Sequence, residues 1–151
     1  MKTLVTFFSA SGITARIGRE FAKTIEADVF EICPRVPYSD ADLDWRNPLS
    51  RSNMEKLEGK KVPMSGSVPD FGQYDTVYLG FPIWYEVAPN VVYTFCREHK
   101  WAGKKVYMFA TSGGQHGMGD SAEKLAPFMN GAKVCGAKLV KSAAELLEWR
   151  L

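Results

Sequence analysis

The stretch "VTFFSASGIT", Val5–Thr14, decides how the chain is read. An uncharged, largely apolar run reaches Ser9 and gives way to hydroxyls around one glycine: Ser9, Ser11, Gly12 and Thr14. Extended back to Thr3, the run Thr3–Ser9 is apolar on both faces, as a central strand of a parallel sheet should be. From Gly12 the period changes. Ile13, Ile17, Phe21 and Ile25 recur every four residues, while Arg16, Arg19, Glu20 and Lys23 fall elsewhere, which predicts a helix over Gly12–Ala27.

The same alternation continues outward. "DVFEIC" (Asp28–Cys33), "TVYLGFPI" (Thr76–Ile83), "KKVYMFAT" (Lys104–Thr111) and "AKLV" (Ala137–Val140) read as four further short, apolar strands. Helices are predicted over Ser50–Leu57, over Pro89–Lys100, from an Asp120/Glu123 capping box to Met129, and over "AAELLEWRL" behind a Ser142/Glu145 capping box. Between residues 34 and 73 the chain is rich in proline and glycine and reads mostly as loop. Strands alternating with helices predict an α/β fold, an open parallel sheet with helices on both faces, in one domain over residues 1–151. Ligands of such sheets bind beyond the carboxyl ends of the strands.

Composition narrows the function. At 46% apolar and 24% charged residues, with a net charge of +2 and no dense basic block, nucleic acid is a poor partner. No apolar run is long enough to span a membrane. Cys33, Cys96 and Cys135 are odd in number and far apart, which fits reduced, mostly buried thiols in a cytoplasmic protein.

A helix N-terminus has unpaired N–H groups and the positive end of a dipole, so the loop Ser9–Thr14 is built for an anion. Gly12 permits the turn, and three hydroxyls converge. Without a lysine it is not the loop that grips a transferred phosphate; neutral donors suit a phosphate monoester on a bound cofactor. A second feature is "GFPIWYEVAP" (Gly80–Pro89), where Trp84 and Tyr85 leave the third strand side by side, placed to stack on a flat ring. The third is "TSGGQHGMG" (Thr111–Gly119), whose glycines let backbone groups approach a heterocycle edge.

A phosphate cradle, an aromatic lid and a glycine-rich wall together describe a flavin mononucleotide (FMN) site. Here the sequence resembles the flavodoxin family, of the short kind, over nearly its whole length. The matching marks are Ser9–Thr14, "ICPRVPYSDADLDW" (Ile32–Trp45), "SRSNMEK" (Ser50–Lys56), "YDTVYLGFPIWY" (Tyr74–Tyr85) and "GKKVYMFATSGG" (Gly103–Gly114). The resemblance implies a doubly wound five-stranded sheet in the family's own order, 2-1-3-4-5. It implies an FMN site made by Ser9, Ala10, Ser11, Gly12, Ile13 and Thr14 around the phosphate. Pro82, Ile83, Trp84 and Tyr85 would flank the isoalloxazine, and Ser112, Gly113 and Gly114 would meet its pyrimidine edge. Ile13 stands where the family often has asparagine, which shifts phosphate affinity toward the backbone. The family's carriers are typically acidic, whereas this chain is slightly basic, with Asp40, Asp42 and Asp44 as one local acidic patch.

The expected function is electron transfer between redox partner proteins by a monomeric FMN protein. The alternative on the same scaffold is an FMN-dependent NAD(P)H quinone or nitro-compound reductase. A phosphorylation receiver needs acidic residues after the first strand and an aspartate after the third. Ser9-Ala10-Ser11 and Pro82-Ile83-Trp84 occupy those places.

Overall fold

The computed structural model describes residues 2–84, 87–111 and 120–150. Five strands form one sheet: β1 (Lys2–Phe7), β2 (Asp28–Glu31), β3 (Tyr74–Pro82), β4 (Lys105–Thr111) and β5 (Lys133–Leu139). All neighbours are parallel and the order is β2-β1-β3-β4-β5, as the resemblance implies. The helices are α1 (Ile13–Ile25), α2 (Arg51–Glu58), α3 (Asn90–Arg97), α4 (Ser121–Leu125) and α5 (Ala143–Leu147).

The period of two along β1 divides the core. Leu4 and Phe8 join Val77, Leu79, Phe81, Val92 and Phe95 on the α3 side. Val5 and Phe7 join Ile17, Phe21, Tyr78, Phe109 and Leu146 on the α1/α5 side. Gly80 sits between Phe7 on β1 and Phe109 on β4 in the strand register. A Cβ there would lie 2.2 Å from the Phe109 ring, so the glycine is what lets that ring lie across β3.

Several boundaries differ from the sequence reading. β1 ends at Phe7, and α1 runs from Ile13 to Ile25, where Glu26 turns left-handed (φ 57°). Ile13 is 50% exposed; it continues the four-residue period but lies beyond the core, at the mouth of the cleft described below. β2 is four residues long and largely exposed, because it is an edge strand. The other edge strand, β5, starts at Lys133 rather than Ala137; its exposed Lys133 and Val134 break the apolar pattern. Pro127 enters the second position of a 3-10 turn (Ala126–Phe128) and stops α4 short of Met129. Asp120 makes no side-chain cap bond to α4. The expected Ser142/Glu145 cap is supported, since the Glu145 carboxylate accepts from the Ser142 N–H at 2.9 Å. Beyond Leu147 the last helix tightens into a 3-10 turn over Glu148–Arg150. Of the three cysteines only Cys96 is buried; Cys33 is exposed and Cys135 half-buried, one just past β2 and the other on β5.

His99, expected to continue the apolar face of α3, lies just past its end and is a core group. Its ring centroid is 4.3 Å from that of Phe95 and 4.7 Å from that of Phe71. Nε2 accepts from the Val68 N–H at 3.1 Å, so Nδ1 carries the proton and donates to the Phe95 carbonyl at 2.8 Å. Burial holds its pKa below the ordinary 6.5, against the opposing effect of the Phe95 carbonyl. The unfolded chain therefore takes up the proton first as pH falls. This contribution is whole above about pH 6.5 and shrinks as pH drops toward the lowered folded value. His99→Gln is expected to flatten the loss of melting temperature between pH 7 and pH 5.5. A slope unchanged by the substitution would remove His99 from the account.

Candidate functional site

The carboxyl ends of β1, β3 and β4 bring three segments to one edge of the sheet. After β1, Phe8 donates its N–H to the Gly80 carbonyl (3.0 Å), carrying the ladder one residue past the strand. The chain then turns. The Ser9 hydroxyl accepts the Gly12 N–H at 3.1 Å, and Gly12 is left-handed at φ 92°, a conformation that costs glycine little. The first intrahelical bond is Arg16 N–H to the Gly12 carbonyl, 3.0 Å. Among the described residues no acceptor meets the N–H groups of Ile13, Thr14 or Ala15. The loop is thus an open row of donors at the positive end of α1.

The hydroxyls divide their roles in a way the sequence does not announce. Ser9 builds the turn. Ser11 is exposed. Thr14 is only 2% exposed, and its hydroxyl lies 2.8 Å from that of Thr111, at the end of β4. That hydroxyl is one half of a buried pair that ties the first loop to the fourth strand. Sequence reading placed Thr111 at the start of the third wall but did not see this pairing. The two residues are 97 positions apart, and no local pattern marks the pair. Ala10 packs against the α3-side core.

After β3, Ile83 continues the ladder by donating to the Thr111 carbonyl (2.9 Å). Trp84 and Val87 exchange backbone bonds (2.8 and 3.1 Å) that hold the indole at the sheet edge. Phe8 and Tyr38 meet the indole edge-on, at centroid distances of 5.6 and 5.4 Å and both at 88°. Tyr38 is held in turn. Its hydroxyl donates to the Glu55 carboxylate, and the Arg51 guanidinium lies 3.9 Å from its ring centroid. Arg51 also donates to Glu55 (2.9 Å) and to the Val36 carbonyl (2.8 Å). Burial first, and then Glu55, push the Tyr38 phenol far above its ordinary range, so it stays neutral. The irregular stretch after β2 therefore supports the site, because together with α2 it buttresses Trp84.

Ser11, Ile13, Pro82, Ile83, Trp84 and Thr111 line one cleft of about 320 Å³, together with Val140 and Lys141 from the end of β5. Among the described residues, Lys141 is the one charged side chain in that lining, and sequence reading, which found only neutral donors here, did not include it. Tyr85 and the third expected wall, Ser112, Gly113 and Gly114, lie outside the described residues. Among the described residues, no helix is long and apolar enough to cross a membrane.

Comparison with known proteins fits this arrangement. A structure of a candidate flavoprotein from Bacteroides eggerthii DSM 20697 is 35% identical, covering 98% of this chain and 94% of that one, with a TM-score of 0.88. One from Bacteroides uniformis ATCC 8492 is 34% identical, covering 99% and 97%, with a TM-score of 0.90. A flavoprotein in complex with FMN from Lactobacillus acidophilus NCFM shares the fold at 19% identity, 99% coverage of both chains and a TM-score of 0.71. No curated protein matches the sequence. The family model described as Flavodoxin matches residues 2–150. That match spans every strand and helix of the doubly wound sheet, and the chain belongs to the flavodoxin family.

Proposed function

We propose that the chain binds FMN in the cleft at the ends of β1, β3 and β4 and acts in electron transfer. The observation that carries the reading is the open row of N–H donors at Ile13–Ala15 facing the same cleft edge as a braced tryptophan. The donor row fits a phosphate, and the indole fits a flat ring. When bound, FMN supplies the redox chemistry. The chain's part is to hold and orient it: Ser9 and Gly12 shape the turn, Ser11 and Thr14 offer hydroxyls to the phosphate, and Trp84 lies against the isoalloxazine. Tyr85, Ser112, Gly113 and Gly114 complete the site in this reading. The described cleft lining offers no carboxylate, thiol or imidazole for a reaction of its own.

Two measurements test the site. Thr14→Val removes a hydrogen bond to a charged group, worth roughly 1.5–3 kcal/mol, and is expected to weaken FMN about 10- to 150-fold. An unchanged dissociation constant would confine Thr14 to its pairing with Thr111. FMN should also quench Trp84 more than the other three tryptophans. Trp101 is buried beneath Phe71, Trp149 packs on Tyr107, and Trp45 is 72% exposed, each away from the cleft lining. Quenching that survives Trp84→Phe would place the ring elsewhere. The carrier reading further expects that FMN-loaded protein oxidises NAD(P)H with a quinone no faster than free FMN does. Catalytic turnover without an added reductase would favour the reductase alternative.

A further inference from the structure

Among the described residues, Lys2, Arg19, Arg46, Arg51 and Lys138 each meet a carboxylate. Four of the remaining cations share one groove. Lys56, Lys60, Lys61 and Arg97 line a groove of about 210 Å³ between α2 and α3, and none pairs with a carboxylate among the described residues. The backbone fixes this crowding. Gly59, left-handed at φ 62°, caps α2 and reverses the chain, so that Lys60 N–H reaches the Glu55 carbonyl at 3.0 Å. The Asn90 amide, on α3, donates to the Glu55 and Lys60 carbonyls at 3.1 and 2.7 Å. The Thr94 hydroxyl donates to the Val62 carbonyl at 2.6 Å. Both ends of the lysine turn are therefore stapled to the helix that carries Arg97. Burial, and then the charge of Lys124, lower the Lys56 pKa. An anion entering a recess lined by four cations meets a favourable potential.

We propose that this groove is a second anion site, for the phosphate groups of a small ligand bearing two or more phosphates. Its concave shape and its size favour a compact anion over the flat, extended face of a protein. Lys56 and Asn90 also line the recess beneath Trp84, so the groove runs up to the lid of the cleft. The site stands apart from the loop after β1 and does not rest on the FMN assignment.

The test is a titration at low salt, on the whole chain without FMN and again with FMN added, followed by amide NMR and calorimetry. The probes are inorganic pyrophosphate, ADP, adenosine and a hexa-aspartate peptide. Pyrophosphate and ADP are expected to saturate and to shift Gly59, Tyr93 and Arg97 and the Asn90 side-chain amide, with adenosine silent. Removing two cations with Lys60→Gln and Arg97→Gln is expected to weaken pyrophosphate about tenfold or more. Arg46→Gln, remote from the groove lining, is expected to leave it unchanged. ADP tighter than pyrophosphate would identify a nucleotide as the source of the phosphates, and equal affinity the phosphates alone. Shifts confined to Ser11–Ala15, affinity untouched by the double substitution, or no saturation would each overturn the site. Hexa-aspartate binding as tightly as pyrophosphate would overturn it in favour of an acidic protein surface.

Discussion

Apoprotein titrated with FMN and with riboflavin is expected to bind FMN about a thousandfold more tightly or better. The two ligands differ only in the phosphate. In the proposed seat that group meets the N–H groups of Ile13, Thr14 and Ala15, which the described residues leave without acceptors, and the exposed hydroxyl of Ser11. Each hydrogen bond to a charged group is worth roughly 1.5–3 kcal/mol. Two or three of them total roughly 3–9 kcal/mol if additive, a range that includes the roughly 4 kcal/mol that a thousandfold ratio requires. Lys141 adds long-range attraction, so the preference should narrow as salt is raised. Isothermal titration at two ionic strengths measures both. Equal affinities for the two ligands would remove the phosphate from the site.

Phe95→Ala is expected to cost about 3–5 kcal/mol of stability, the range for deleting a large buried aromatic side chain. Phe95 is fully buried, and Phe30, Phe71, His99 and Trp101 surround its ring at centroid distances of 4.3–6.2 Å. At roughly 2–4 °C per kcal/mol for a chain of this size, the melting temperature should fall by about 6–20 °C. Phe71 and Trp101 precede β3 and β4, at the edge of the sheet opposite the cleft. FMN affinity, measured well below the new transition, is therefore expected to change little. A parallel loss of affinity would mean that the aromatic cluster positions the site as well as supporting the fold.

These two predictions draw unequally on the sequence. Central strands announce themselves, because β1, β3 and β4 are covered on both sides and every residue that faces inward must be apolar. The edge strands announce themselves less fully: β2 was read as a strand, but two residues too long, and β5 was read only from Ala137. The start of β5 keeps Lys133 and Val134 exposed on the outer edge of the sheet, so no apolar run marks it. The loop after β1 was legible because its turn is local: Ser9 and Gly12 make it between themselves. The support of the lid was not, since Trp84 depends on Tyr38, and Tyr38 on Glu55 and Arg51, residues that only the fold brings together. Ile13 shows the converse error: its periodicity is helical and its environment is the cleft mouth, and periodicity cannot tell a core face from a site rim.

The buried pair of Thr14 and Thr111 has a polarity. Two hydroxyls 2.8 Å apart share one hydrogen between them, and which oxygen supplies it is a choice. An anion beside Thr14 settles that choice, because Thr14 must aim its own hydrogen outward and accept from Thr111. Thr111 opens the segment that follows β4, so occupancy at one end of the sheet sets the orientation of a dipole at the next strand but one. Serine at position 111 keeps this reversible dipole; valine leaves Thr14 with no hydrogen to accept.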